Sequence, residues 1–196
     1  TPTSLVGVRG TQFRVAFDDP NGKNARTEVV AGLVRADNPA QGSGADLPKG
    51  TGAVVNPAQR EVAVVKLLPA PDVAALADSV SRSTGAAGPA LWPIPALPGA
   101  SAYRVQLASD EKFDQLVRDL RVAAAPSGQS ADLSSLANGN WYTRVRGIDG
   151  IGLEGFDAVK LVRLSDGRIT LIWPGQVAVD ATARYVNGGT RLDIQR

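Results

Sequence analysis

The sequence predicts an all-β protein, and three observations carry that prediction. Glycine and proline are frequent, with 21 and 13 residues in a chain of 196, so turns must recur along it. The Val, Ile and Leu residues fall in short runs between those turns, which favours many short strands over long helices. Several runs also alternate apolar and polar residues, as strands with one buried face do. No apolar run reaches the roughly 18 residues that a spanning helix needs, so we do not expect the chain to span a membrane.

The first third of the chain predicts a hairpin and then shorter strands. Residues 11–17 alternate with one apolar face, turn formers fill 18–22, and 26–37 has the pattern of a return strand. After the hairpin we expect a flexible polar loop and two short strands, at 38–52, 53–56 and 61–68.

Pro69-Ala70-Pro71 indicates a change of unit, after which strands continue. Residues 72–83 fit a short helix or an irregular first strand, and the strand is favoured. Residues 111–125 fit a strand pair or a strand with one helical turn near Lys112. The remaining strands are expected at 91–95 (an edge strand, because prolines flank Trp92), 101–109, 136–149, 159–164, 168–173, 176–186 and 190–195.

The composition argues against most enzyme chemistry. The chain has no Cys, which excludes disulfides and thiolate sites, and no His, which removes the commonest general base and most zinc sites. Its formal net charge is +2, but basic and acidic residues are interleaved, whereas a nucleic-acid binder concentrates its basic residues. We therefore expect a protein that is not an enzyme, needs no cofactor or metal and binds no nucleic acid. The absence of Met is expected of a processed, mature form.

The N-terminal segment carries one long motif, with a threonine-rich lead at 1–5. Its residues are Val6, Gly7, Val8, Arg9, Gly10, Thr11 and Phe13. This motif resembles the signature of the FecR-type regulator domain. Glycines within a strand usually mark a bulge or close backbone packing, so the structural interpretation is favoured over a partner-binding edge.

A second set of residues lies between 89 and 157. It comprises Trp92, Pro98-Gly99-Ala100, Tyr103-Arg104-Val105, Phe113, the run from Gly139 to Arg146, and the loop from Ile148 to Gly155. Together these residues resemble a bacterial fibronectin type III-like domain. The resemblance implies an immunoglobulin-like β-sandwich in which Trp141 takes the place of the family's corner tyrosine.

The order of the FecR-like elements departs from the family pattern. A D-G-x-x-x-T-L-x-P-G-x-x-V half usually precedes the V-G-V-R-G-T strand, but here a similar stretch, Asp166 to Val177, follows it. The resemblance therefore implies a circular permutation, in which 1–66 and 158–196 form one discontinuous domain around a sandwich at 67–157. In the alternative, 158–196 begins a second, truncated copy. Thr1 and Arg196 at opposite ends of the molecule would refute the permutation.

Three arginines, Arg104, Arg144 and Arg146, are predicted to line an outward face of the sandwich. They suit an acidic partner or an anionic polymer, although such arginines mostly pair with acids on neighbouring strands. The aromatic residues Trp92, Tyr103 and Trp141 would stack on a sugar if exposed, but their places in the alternation predict that they point inward.

Other candidate sites are better explained structurally. A loose calcium-loop pattern occurs at Asp18, Asp19, Asn21 and Asn24, but its spacing favours a solvated turn. Two carboxylate pairs suggest glycan cleavage, at Asp110/Glu111 and at Asp149/Glu154. Adjacent strand residues point to opposite faces, so the first pair cannot converge, and the second lies in a Gly-rich turn.

The resemblances imply a bacterial protein exported to the periplasm or cell surface. The preferred hypothesis is a protein-interaction or signalling module of the cell envelope, since no anti-sigma membrane segment or LysM module accompanies it in this sequence. A carbohydrate- or peptidoglycan-binding module is the alternative. An exposed strand edge would also permit a dimer.

Overall fold

The structure, a computed structural model, describes residues 5–8, 11–17, 24–82, 89–166, 168–171, 179–186 and 189–194. Within these ranges every helix or strand is a β-strand, which confirms the all-β prediction. No helix among them is long and apolar enough to cross a bilayer.

Seven strands form two sheets that we call the first unit: β1 (Leu5–Val8), β2 (Gln12–Phe17), β3 (Ala25–Ala31), β4 (Leu33–Asn38), β5 (Ser43–Pro48), β6 (Thr51–Val55) and β7 (Val65–Lys66). One sheet has the order β1-β4-β5 and the other the order β2-β3-β6-β7. The two sheets share a core that includes Val29, Val34, Leu47 and Val55, all fully buried. The predicted hairpin is confirmed in part: β3 pairs with β2 in antiparallel register, but the second half of the expected return strand is β4, which lies in the other sheet.

Two predictions for this unit are wrong. Residues 38–52 are not a flexible loop, because β5 pairs along its whole length with β4. Leu47, on the inward face of this short polar strand, is buried with Ala45 packed nearby, and two such residues suffice to anchor it. Of the strand expected at 61–68, only the two residues of β7 form one. Val62 packs in the core, but it lies in a segment that is not part of a strand.

Seven more strands form two facing sheets that we call the sandwich: β8 (Ser79–Arg82), β9 (Leu91–Ile94), β10 (Ala102–Ala108), β11 (Leu116–Ala123), β12 (Gln129–Asp132), β13 (Gly139–Ile148) and β14 (Ala158–Asp166). The five-stranded sheet has the order β11-β10-β13-β14-β8, and the smaller sheet pairs β9 with β12. Their inner faces share one core, in which Trp92 of the small sheet is fully buried with Val105 and Val145 of the large one.

The strands expected at 91–95, 101–109 and 136–149 are found as β9, β10 and β13, whereas β12 lies where no strand was expected. β9 is an edge strand as predicted, pairing only with β12 within the described residues. The strand favoured in 72–83 occupies only the end of that range, as β8, which runs parallel to β14. Between β10 and β11, residues 109–115 form a turn.

The last three strands form a separate antiparallel sheet in the order β15-β16-β17: β15 (Arg168–Leu171), β16 (Val179–Val186) and β17 (Gly189–Ile194). β14, placed by the domain prediction with the first unit, is hydrogen-bonded in the sandwich to β13 and β8. The discontinuous FecR-like domain stays a prediction, and Thr1 and Arg196 lie outside the described residues.

Candidate interaction face of the sandwich

The three predicted arginines lie on the face of the five-stranded sheet that points away from the core. Across β10 and β13, Arg104 is opposite Arg146 and Gln106 is opposite Arg144. Directly opposed residues share a face, and the intervening Val105 lies in the core, so these four side chains all point outward. The prediction of a common face is therefore correct in geometry.

The part of this face nearest the first unit is closed by ion pairs. The Arg146 side chain is only 6 % exposed, and its guanidinium contacts the carboxylates of Glu154 at 2.5 Å and Asp157 at 2.7 Å. Arg104 contacts the other oxygen of Glu154 at 2.9 Å. Both acids come from the connection between β13 and β14, which folds across the sheet. We call this part, with Arg104 and Arg146, the closed half.

Arg104 is held further by an acid on the neighbouring strand. Its Nε and Nη2 donate to the two carboxylate oxygens of Asp119 at 2.8 and 2.6 Å. These bonds hold the pKa of Asp119 below its ordinary value and raise the pKa of Arg104. Gln106 donates to the same carboxylate at 2.9 Å, so Asp119 joins three neighbouring positions into one network.

The network continues into the first unit through Arg14 and Glu28. Arg14 donates to the carbonyl oxygens of Glu154 and Gly155 at 2.7 and 2.5 Å and to Asp157 at 3.3 Å. Glu28, 2 % exposed, accepts the N–H of Glu154 at 3.2 Å and lies 3.7 Å from Arg14. Burial raises the pKa of Glu28, and the backbone bond and Arg14 partly oppose that effect.

Apolar and backbone contacts complete this junction. The N–H of Phe156 donates to the carbonyl of Leu68 at 3.0 Å, and Gly155 donates to Gly147 at 2.8 Å. Gly155 lies so close to Leu68 that an added Cβ would stand 2.5 Å from its carbonyl oxygen. The backbone of 154–157 is therefore fixed on one side by Leu68 and on the other by the ion pairs.

Arg144 differs from the other two arginines because no described carboxylate forms an ion pair with it. Its Nε and Nη2 donate to the amide oxygen of Gln106 at 3.0 and 2.7 Å, and its guanidinium lies 4.2 Å from the centre of the Phe113 ring. Partial burial lowers the pKa of Arg144. Arg144 is thus held in place by neutral groups, and the Asp157 carboxylate attracts its charge from beyond ion-pair distance.

The loop before β11 is built to hold Phe113 beneath Arg144. Phe113 adopts a φ of 61°, a conformation that costs a bulky residue about 1–2 kcal/mol. The carboxylate of Asp110 accepts the N–H groups of Asp114 and Gln115 at 3.1 and 2.7 Å, and these bonds lower its pKa. A strained residue held in this way points to a positional requirement, here the placement of the ring.

Beyond Arg144, the face is apolar and cationic. Tyr142 lies opposite Leu161, and Arg144 lies opposite Val159, so all four share the outer face with the exposed Arg163. Val159 and Leu161 are 50 % and 44 % exposed. We call these five residues the open half.

The other predicted site residues have local roles. In the FecR-like motif, Val6, Gly7 and Val8 pair with β4, Thr11 packs against Gly32, and Phe13 packs on the first-unit core, while Arg9 and Gly10 lie outside the described residues. Most of the proposed calcium loop lies outside them as well. Asp149 caps its own loop by accepting the N–H groups of Ile151 and Leu153, both at 2.9 Å. Within the described residues no group of three acidic side chains is placed to hold a metal.

The inward orientation of the aromatic residues is confirmed. Trp92 and Tyr103 are buried, and the Tyr103 hydroxyl accepts the N–H of Leu97 at 2.7 Å. Trp141 is half-buried against the same core and donates to the carbonyl of Ala137 at 3.0 Å.

Sequence reasoning did not identify Gln106, Phe113, Arg14 or Glu28 as parts of this face. Gln106 alternates with core residues on β10, which does indicate an outward position beside Arg104. The contribution of Arg14 and Glu28 depends on contacts about 125 to 140 residues away in sequence, for which a single chain gives no local pattern.

Comparison of the chain with family models, curated proteins and solved structures finds no match.

Proposed function

We propose that this chain is a non-enzymatic protein-interaction or signalling module of the bacterial cell envelope, exported to the periplasm or cell surface. In this proposal the first unit is a FecR-like domain and the sandwich is a fibronectin type III-like domain. The strand order β11-β10-β13-β14-β8 facing β9-β12 supports the second assignment, because it has the two-sheet pattern of immunoglobulin-like folds. The two-sheet first unit, with Val6 to Val8 in a paired strand, is compatible with the first.

The observation that carries the proposal is the division of the outer sheet face. Arg104 and Arg146 of the closed half pair with acids of the connection after β13, and Arg14 and Glu28 of the first unit contact the same connection, so these arginines have structural partners. The open half presents exposed apolar side chains beside arginines that have no described acidic partner. Apolar anchors combined with Arg and Tyr are typical of protein-binding surfaces.

The alternative, a carbohydrate- or peptidoglycan-binding module, needs aromatic rings exposed on a sandwich face. Trp92 and Tyr103 are buried and Trp141 is half-buried against the core, so none of the three aromatic residues considered for sugar stacking is exposed. The protein-binding hypothesis is therefore favoured.

The test is a paired binding experiment with the intact chain. The immobilised chain is incubated with detergent-solubilised envelope proteins and, separately, sedimented with purified peptidoglycan sacculi. We expect saturable capture of a protein that soluble chain competes away, and no co-sedimentation with sacculi. Co-sedimentation with sacculi, without protein capture, would replace the proposal by the glycan-binding alternative.

A further inference from the structure

Three directly opposed residues form a row across the four-stranded sheet of the first unit. Arg14 on β2 is opposite Glu28 on β3, and Glu28 is opposite Gly52 on β6. The neighbours of Glu28 along β3, Thr27 and Val29, are fully buried, and Val29 lies in the first-unit core. Because successive strand residues point to opposite faces, the row points away from that core and toward the connection between β13 and β14.

Residues 153–157 of that connection, which we call the strap, lie across this row. Leu153 is 1 % exposed and packs over Gly52, where an added Cβ would stand 3.3 Å from the leucine side chain. Glu28 accepts the N–H of Glu154 at 3.2 Å. The strap therefore covers a carboxyl group of the first unit.

Arg14 donates to the strap rather than to Glu28. Its Nη2 donates to the carbonyl oxygens of Glu154 and Gly155, and its Nη1 donates to the carboxylate of Asp157. Its Nε lies 3.7 Å from Glu28 and has no hydrogen-bond partner among the described residues. In this part of the chain Glu28 thus accepts one N–H, whereas an ionised carboxylate can accept about four hydrogen bonds.

The charges around Glu28 do not offset its burial. Burial is the largest effect and raises the pKa of Glu28 above its ordinary value of 4.5. Arg14 on β2 and Arg26 on β3 attract the charge of Glu28, the Glu154 carboxylate in the strap repels it, and β6 contributes Gly52 at this position. The chain has no His, the side chain that usually titrates near neutral pH, so a buried carboxyl is the group suited to that range.

We propose that the strap is a proton-linked closure between the two units, which holds tightly while Glu28 is neutral and loosens when Glu28 is ionised. Lifting the strap returns the carboxylate to water and leaves Arg14 free to pair with it, so the ionised form favours the open state. Closing binds one proton at Glu28, and opening releases it to solvent. Closure is therefore complete below the pKa of the exposed carboxyl, near 4.5, and is lost as pH rises through the raised pKa of the closed state. The closure acts whatever partner the module binds.

The ion pairs of the strap respond to pH in the opposite sense. Glu154 contacts Arg104 and Arg146, and Asp157 contacts Arg146, so protonating either acid weakens closure. A substitution at Glu28 separates the two effects, because it removes the first and leaves the second.

The test is hydrogen exchange of the intact chain from about pH 5 to about pH 8, with each rate divided by the intrinsic rate at that pH. The N–H groups of Glu154, Gly155 and Phe156 report on the strap, since all three are hydrogen-bonded in the closed state. We expect their protection to fall as pH rises, by up to about tenfold per pH unit, because one proton is linked to closure. The amides that pair β10 with β13 should keep their protection, which separates strap opening from global unfolding.

Glu28→Gln should keep the strap protected across the whole range, because a neutral amide of the same size replaces the neutral carboxyl. Glu61→Gln is the matched control. Glu61 is an exposed acid of the first unit, so this variant should show the pH dependence of the parent.

A second measurement needs no substitution at Glu28. In the parent, NMR of the Glu28 carboxyl carbon should show a pKa above the ordinary value. Leu153→Ala, which loosens the strap, should lower that pKa, because the coupling between closure and proton binding is reciprocal.

Either measurement can overturn the inference. Strap protection in the parent that stays level or rises with pH, or that falls as steeply in Glu28→Gln, would show that Glu28 does not control the strap. A Glu28 carboxyl that titrates at the same pH in the parent and in Leu153→Ala would show that its proton is not coupled to closure.

Discussion

Replacing Arg146 by Met tests whether the ion pairs of the closed half stabilise the molecule. Met reaches about as far as the Nε of Arg, so the substitution removes the guanidinium with its charge and donors while retaining the packing of the aliphatic stem. Arg146 is 6 % exposed and contacts Glu154 at 2.5 Å, Asp157 at 2.7 Å and the amide oxygen of Gln106 at 3.0 Å. Its removal leaves two carboxylates beside a largely buried backbone segment.

The expected loss of stability follows from what those acids retain. Removing one partner of a buried ion pair costs about 3–5 kcal/mol, because the other charge stays desolvated. Glu154 keeps Arg104 at 2.9 Å and Asp157 keeps Arg14 at 3.3 Å, so we expect the lower end, about 3 kcal/mol. For a chain of this length, such a loss lowers Tm by about 6–12 °C.

The assay is thermal unfolding followed by circular dichroism and by tryptophan fluorescence, since Trp92 reports on the sandwich core. The control is Arg35→Met, which removes an arginine that pairs with Asp37 and Asp46 while half-exposed on the first unit. Exposed pairs contribute little, so the control should melt close to the parent. If both variants melt together, the ion pairs of the closed half do not stabilise the molecule and the account of the junction is wrong.

Three further predictions concern single positions. Because burial raises the pKa of Glu28 above 4.5, its contribution to stability is complete below that pH and is lost as pH rises through the folded pKa. Urea unfolding should therefore show Glu28→Gln gaining on the parent between pH 4.5 and neutrality, and a constant difference would contradict this. Gly155→Ala should destabilise by about 1–3 kcal/mol, because its Cβ would meet the Leu68 carbonyl. Gly150→Ala should leave the stability unchanged, because an added Cβ there would meet no atom. Equal melting temperatures of the two variants would contradict the close approach of Gly155 to Leu68. Lys160→Met should release the segment before β8, and limited proteolysis should then cut within 71–78, which the parent protects.

The fold was predictable where apolar periodicity decides it. β10 and β13 alternate clearly, and their core residues Val105 and Val145 are fully buried as expected. β5 is not predicted from the sequence, because the segment is mostly polar and its one fully buried large side chain is Leu47. Pairing with β4 is what makes this segment a strand. The pattern of residues within one segment cannot predict a strand whose formation depends on the neighbouring strand.

The candidate site was predictable in part, for a similar reason. Alternation correctly placed Arg104, Arg144 and Arg146 on one face. Which of these three arginines form ion pairs depends on where the connection between β13 and β14 folds. The position of that connection depends in turn on Arg14 of the first unit, which contacts it. These are tertiary contacts, and no local pattern separates the two structural arginines from the third.

The division of the face has a geometric cause that leads to a last prediction. The acids of the connection after β13 reach Arg146, but Arg144 is two residues further along the strand, roughly 6–7 Å away, and has only Gln106 and Phe113. Val159 lies directly opposite Arg144 on the same face and is half-exposed. Val159→Asp should therefore supply the missing carboxylate from within the chain.

A directly opposed pair of opposite charges contributes about 0.2–1 kcal/mol, which offsets much of the apolar contact that Val159→Asp loses. Leu161→Asp is the matched control, because it places the same carboxylate opposite Tyr142. We expect Val159→Asp to be the more stable of the two in urea at low salt, and the difference to shrink at high salt. Equal stability at all salt concentrations would show that Arg144 does not interact with a carboxylate placed at position 159.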